Sequence, residues 1–160
     1  MTAAVRIVDA EDAASLALAR ALICEYSAWL GIDLEYQNFE RELATFPGDY
    51  APPHGALLLA QVGENTAGCV ALRRLGPGLC EMKRLWVRQD FQSLGVGRAL
   101  AVAVLERATR LGYERMRLDT LPRMATALAL YRKLGFREIP AYYPSPVPGT
   151  VYLEKTLERG

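Results

Sequence analysis

Apolar positions in the first third of the chain recur at helical spacing. Ala19, Leu22, Ile23, Tyr26 and Leu30 stand at i, i+3, i+4, i+7 and i+11, the stripe a helix turns toward a core. Gly31 suits the end of this helix and Asp9 its capped start. Just before it, Ala4–Val8 alternates as a short strand. Tyr36, Phe39, Leu43 and Phe46 mark a second helix, which Pro47-Gly48 stops.

The pattern then turns to strands. Ala56–Val62, Thr66–Arg73 and Leu79–Val87 are separated by Gly63-Glu-Asn65 and Gly76-Pro-Gly78. Such short turns predict an antiparallel meander. From Val96 to Leu111 the helical period returns, with Val96, Leu100, Ala103, Val104 and Leu111 on one side and Gly112 at the end. Tyr113–Thr120 alternates again, Met116 and Leu118 against Arg115 and Arg117. Pro122 fits the opening of a further helix with Met124, Ala127, Leu128 and Tyr131 on its core face and Gly135 as its stop. Phe136–Ile139 reads as a short strand, Pro140–Gly149 as a Pro-rich loop, and Thr150–Leu157 as the last strand. The order βααβββαβαββ is an α/β arrangement in which the strand after the crossover helix lies parallel beside the meander's last strand. A switch from antiparallel to parallel pairing opens a crevice there.

Composition narrows the setting. A chain of 160 residues predicts one domain with a proper core. The 51% hydrophobic and 23% charged residues are a globular balance. A net charge of +1 gives no electrostatic case for nucleic acid. Cys24, Cys69 and Cys80 show no CxxC spacing and read as buried free thiols, as in a reducing compartment. No basic patch precedes an apolar core at the N-terminus, and no apolar run approaches the roughly 18 residues of a membrane span. A cytoplasmic protein without membrane association is expected.

Between Val87 and the helix starting at Val96 lies Gln92-Ser-Leu-Gly-Val-Gly-Arg98. Glycines at 95 and 97 let another group approach the backbone closely. The first N–H groups of the helix have no intrahelical partner, and the dipole leaves that end partly positive. Together they make a seat for phosphate oxygens. A dinucleotide fingerprint needs a third glycine where Leu100 stands, and a Walker loop needs Lys-Ser/Thr where Arg98-Ala99 stands. The bland alternative is a tight strand-to-helix turn without a ligand.

The second half of the chain adds a matching motif. Leu85-Trp-Val87 and Gln92-x-x-Gly95-x-Gly97 are followed by Ala127-x-x-Leu130-Tyr131-x-Lys133-x-Gly135-Phe136. In this order and spacing the chain resembles the GNAT superfamily of acyl-CoA-dependent N-acyltransferases over about residues 55 to 157. The resemblance implies the GNAT fold: a mixed, mostly antiparallel sheet of about seven strands flanked by four helices, with a splayed parallel pair. It implies acetyl-CoA as co-substrate, with pantetheine between the strands holding Leu85, Trp86 and Val87 and those holding Arg115–Thr120. The pyrophosphate would lie on Gln92, Ser93, Leu94, Gly95, Val96, Gly97 and Arg98, with Tyr131 and Lys133 as further cofactor contacts. No metal is implied.

An amine must be neutral to attack a thioester, yet an alkyl ammonium has a pKa of about 10.4. A base is therefore useful, as is a donor toward the leaving sulfur. By spacing alone Tyr131 is a core aromatic; the resemblance makes it the proton donor. Glu81 stands on the strand where some family members carry their base. Regular alternation puts it on one sheet face with Lys83, Leu85 and Val87, parity that a bulge would break. Its alternatives are an ion pair with Lys83 or Arg84, or a solvated strand end. Met124 departs from the family, many of whose members have Asn there; it reads as packing. His54, in a Pro-rich loop, reads as a surface residue.

The acceptor pocket implied by the resemblance draws on Trp29, Tyr36, Phe39, Tyr50, Tyr142 and Tyr143. A small primary amine or an amino-acid-like acceptor is the expected partner, and a homodimer is compatible with the family. Two alternatives stay open: a catalytically silent CoA-binding domain, and an enzyme acting on a protein N-terminus or lysine. Cys80 or Cys69 as an acyl carrier lacks a nearby histidine.

Overall fold

In the computed structural model, which describes residues 4–158, strand β1 spans Val5–Asp9. Asp9 pairs with Leu58 within the sheet and so does not cap the next helix. Asp12 does: its Oδ1 accepts from the Ser15 N–H at 2.7 Å, and helix α1 runs Ala13–Leu30. Gly31, at φ +67°, ends it as expected. The second expected helix is broken. Asn38 takes φ +57°, with a 3-10 turn Leu34–Gln37 before it and a short helix α2, Phe39–Ala44, after it. Asn enters this left-handed region more readily than most residues.

Strands β2 (Ala56–Val62), β3 (Asn65–Gly76) and β4 (Leu79–Val87) form the antiparallel meander. Helix α3 (Val96–Arg110) crosses to β5 (Arg115–Thr120), which lies parallel to β4. Strand β5 starts two residues later than the alternation implies, and Tyr113 instead donates its hydroxyl to the His54 carbonyl at 2.6 Å. Helix α4 (Ala125–Lys133) begins after Met124, leaving Pro122 in the preceding turn. β6 (Arg137–Ile139) and β7 (Val151–Thr156) complete the chain's elements.

The described residues build one mixed sheet, ordered β1-β2-β3-β4-β5-β7-β6, in which only β4–β5 is parallel. Both faces of its centre are covered, which is why β2 reads as a continuous apolar run. Leu58 and Ala60 pack toward α3 with Leu100 and Val104. Leu57 and Leu59 pack toward α1 with Leu22 and Ile23. Among the described residues no helix is long and apolar enough to cross a membrane.

One irregularity positions everything that follows. Cys69 pairs with Trp86 and Ala71 with Lys83, so Val70 alone opposes both Arg84 and Leu85. Arg84 holds φ +59° in this bulge. The face parity of β4 therefore changes midway. Cys80 and Met82 join the α3 side, and so do Leu85 and Val87. Trp86 joins the α1 side, where Lys83 also reaches Gln37. Glu81 thus does not share a face with Leu85 and Val87; the bulge separates them.

Candidate active site

The parallel pair is short. β4 and β5 are registered at Leu79–Arg115, Cys80–Met116 and Glu81–Arg117, and then they part. A bulge bends its strand and raises the local twist, and this one lies three residues past the last pair. A cleft fills the gap. Its walls are Met82, Lys83, Arg84 and Leu85 from β4 and Leu118, Asp119 and Thr120 from β5. Tyr131, Ala127 and Met124 close it on the α4 side, and Tyr26, Tyr36 and Gln37 on the α1 side.

The glycine turn stands beyond the end of β4. Gln92 Nε2 donates to the Val87 carbonyl at 3.1 Å, tying the turn to that strand. This spends the Gln92 side chain on the turn itself. Ser93 and Gly95 take φ +72° and +81°, which aims the chain into α3. No side chain caps α3, and its first intrahelical bond is Ala99 N–H to Gly95 O at 3.0 Å. The N–H groups of Val96, Gly97 and Arg98 therefore precede the helix's own bonding pattern. A Cβ built on Gly97 would meet only Val87 Cγ2, at 3.7 Å. The glycine is thus not demanded by protein packing. Ser93, Leu94 and Arg98 are exposed around this helix mouth, which suits an anionic group. Lys133 is exposed at the far end of α4 and does not line the cleft.

Tyr131 is 6% exposed and packs edge-on against Phe136, with ring centroids 5.8 Å apart. Burial, with smaller contributions from Tyr26 and Asp119, pushes its phenol well above the usual value. It stays protonated at neutral pH and can donate. Glu81 is placed differently. It is 1% exposed; Oε1 receives Arg73 Nε at 2.7 Å and Oε2 receives the Tyr142 hydroxyl at 2.5 Å. It does not line the cleft, so the position expected of a direct base is not the one it occupies. An ion pair was one of its expected alternatives; Lys83 Nζ lies 3.9 Å away, but Arg73 is the closer partner. Arg84 turns away to a two-pronged contact with Glu42, at 3.1 and 2.8 Å.

Of the expected acceptor-pocket residues, only Tyr36 lines the cleft. Tyr143 stands next to it, its hydroxyl donating to Asp119 and receiving Gln37 Nε2 at 3.4 Å. Tyr142, Tyr143 and Tyr152 pack mutually edge-on at 5.3–5.5 Å, which stiffens the Pro-rich loop above β5. Trp29 stacks on Trp86 at 5.2 Å, with the Arg123 guanidinium over its ring. Arg123 also donates to the Leu30 carbonyl, joining the end of α1 to the β5–α4 turn. Trp86 itself faces α1 and does not line the cleft. Phe39 lies under Arg84. Tyr50 belongs elsewhere: it is 4% exposed, packs on Phe46 and serves the core beneath α1. Cys69 and Cys80 are fully buried, and burial pushes both thiols up to about 12, leaving little thiolate at neutral pH.

Lys83, Gln37 and Asp119 are among the polar cleft residues that sequence reasoning did not assign to the site.

The model of the Acetyltransferase (GNAT) family matches residues 17–136. An uncharacterized N-acetyltransferase of Schizosaccharomyces pombe is 41% identical over 140 residues, covering 86% of each chain. A GNAT-family acetyltransferase from Staphylococcus aureus superposes with a TM-score of 0.78 at 22% identity, covering 97% of this chain and all of that one. A Bacillus subtilis acetyltransferase solved with CoA gives 0.67 at 23% identity, again over 97% of this chain and 100% of the other.

Proposed function

The chain belongs to the Acetyltransferase (GNAT) family, and from that premise we propose that it transfers an acetyl group from acetyl-CoA to a primary amine of a small acceptor, both bound together. The observation that carries this reading is the parting of β4 and β5 after Glu81–Arg117, with Tyr131 on the wall of the resulting cleft. The N–H groups of Val96, Gly97 and Arg98 would hold the pyrophosphate, and the backbone of Leu85–Val87 the pantetheine. The CoA in the Bacillus subtilis structure supports a CoA thioester as the donor.

The thioester supplies an activated acyl group. The chain's part is proton handling and placement. Asp119 is the carboxylate on the cleft wall, and we assign it the proton of the acceptor ammonium. Tyr131 donates a hydrogen bond toward the leaving sulfur. A thiol has a pKa of about 8.5 and a phenol about 10, and burial raises Tyr131 further. Full transfer from Tyr131 to a thiolate is therefore uphill, and stabilising the developing charge is its larger contribution. The proton finally carried by CoA thiol is balanced by one lost from nitrogen as the amide forms. Glu81 acts through its neighbours, holding Tyr142 over the loop and Lys83 beside the cleft.

Thiol release from acetyl-CoA, followed across a panel of small amines, tests the reading. Turnover with at least one amine, reduced in Tyr131→Phe, is expected. Tight CoA binding without thiol release from any amine would instead describe a silent binding domain.

A further inference from the structure

Lys83 lies in a charged cluster without a close carboxylate of its own. Three cations, Arg73, Lys83 and Arg84, cluster with Glu81 and Glu42, and Asp119 acts on Lys83 as a third carboxylate from the same cleft. Arg84 is matched by Glu42 and donates Nη1 to Gln37 Oε1 at 2.8 Å. Arg73 takes the near oxygen of Glu81 at 2.7 Å. Lys83, whose side chain is 7% exposed and lines the cleft, is left with a long 3.9 Å approach to Glu81. Its one close contact is Gln37 Oε1 at 3.1 Å, while an ammonium carries three donors. A desolvated ammonium with donors to spare is a seat for an acceptor such as a carboxylate.

Across the gap stands Asp119, in phase with Lys83 beyond the Glu81–Arg117 pair. One of its oxygens accepts from Tyr143, and Gln37 reaches both that hydroxyl and Lys83. The cleft thus presents a cation on one wall and a carboxylate on the other.

Building on the acetyl-transfer reading above, we infer that the acceptor is an amino-carboxylic acid, its carboxylate received by Lys83 and its amine facing Asp119. Lys83 on one wall and Asp119 on the other match the carboxylate and the ammonium of a zwitterion, and Asp119 opposes a second negative charge such as a phosphate dianion would bring. Leu30, Ile32 and Leu34 on the α1 side offer an apolar wall for the remaining side chain. Burial draws Lys83 down to about 8, so it remains mostly charged at neutral pH.

The test pairs leucine and phenylalanine with leucinamide and phenylalaninamide, which keep the amine and lose the carboxylate. Thiol release and calorimetric binding to the CoA-saturated protein are both read. Wild type is expected to favour the acids by tenfold or more, and Lys83→Gln to erase that preference through KM. CoA affinity should stay unchanged in the variant. If wild type takes the amides as readily as the acids, the inference is overturned whatever the variant does. Should thiol release fail with every amine while calorimetry still favours the acids, the subsite stands and the acetyl-transfer reading falls. Absence of any acid preference by calorimetry removes the subsite.

Discussion

The Tyr142 hydroxyl donates to Glu81 Oε2 at 2.5 Å, while Arg73 holds the other oxygen of the same carboxylate. A group so enclosed does more for structure than for direct proton removal. Glu81→Gln should cost about 2–3 kcal/mol, because Arg73 and Lys83 lose their shared counter-charge. Thermal unfolding would then shift down by roughly 5–10 °C. A variant with unchanged melting and abolished kcat would restore Glu81 as the base.

Tyr131→Phe keeps the ring against Phe136 and removes only the hydroxyl. We expect kcat to fall about tenfold or more with KM for acetyl-CoA little changed, since the lost interaction belongs to the reacting state. Steady-state kinetics at saturating acceptor decides it; a wild-type rate would dismiss the donor role.

Gly97 faces open space apart from Val87. Gly97→Val should therefore leave a folded protein yet weaken acetyl-CoA binding by about tenfold or more, its Cβ displacing the phosphates from the helix mouth. Calorimetry on the folded variant reads this, and unchanged affinity would count against the phosphate seat.

A pH profile separates Lys83 from the amine itself. Burial lowers the lysine to about 8, opposed by Glu81 and Asp119 and reinforced by Arg84 and Arg73. A lysine is charged below its pKa, so preference for an acid over its amide should be full below about 8 and decline above it. The amine of an amino amide is more acidic than that of the amino acid, so the ratio of KM values drifts with pH by itself, and the wild-type profile is read against that of Lys83→Gln. A wild-type ratio that follows the Lys83→Gln ratio across about pH 8 would contradict this role.

Much of the architecture was legible because local chemistry and global pairing agree. The turns at Gly63 and Gly78 punctuate the meander, and the bounds of β2 and β4 match their apolar runs. The helix after Gly95 follows from its period. Other features had no local signature. The spacing of Tyr36, Phe39, Leu43 and Phe46 satisfies a helix, but Asn38 breaks the backbone within it. An arginine in a left-handed bulge cannot be read from arginine, so the parity change at Arg84 was invisible. Lys83 and Asp119 look like ordinary strand charges until tertiary pairing sets them across a gap from each other. Tyr50 carried the right chemistry for a pocket, yet packing sent it to the core.

A crystal structure with CoA bound measures the central claim most directly. The account predicts pyrophosphate oxygens within about 2.7–3.2 Å of the Val96, Gly97 and Arg98 nitrogens, with the thiol between β4 and β5 beside Tyr131. CoA lying elsewhere on the protein, with the helix mouth vacant, would contradict it.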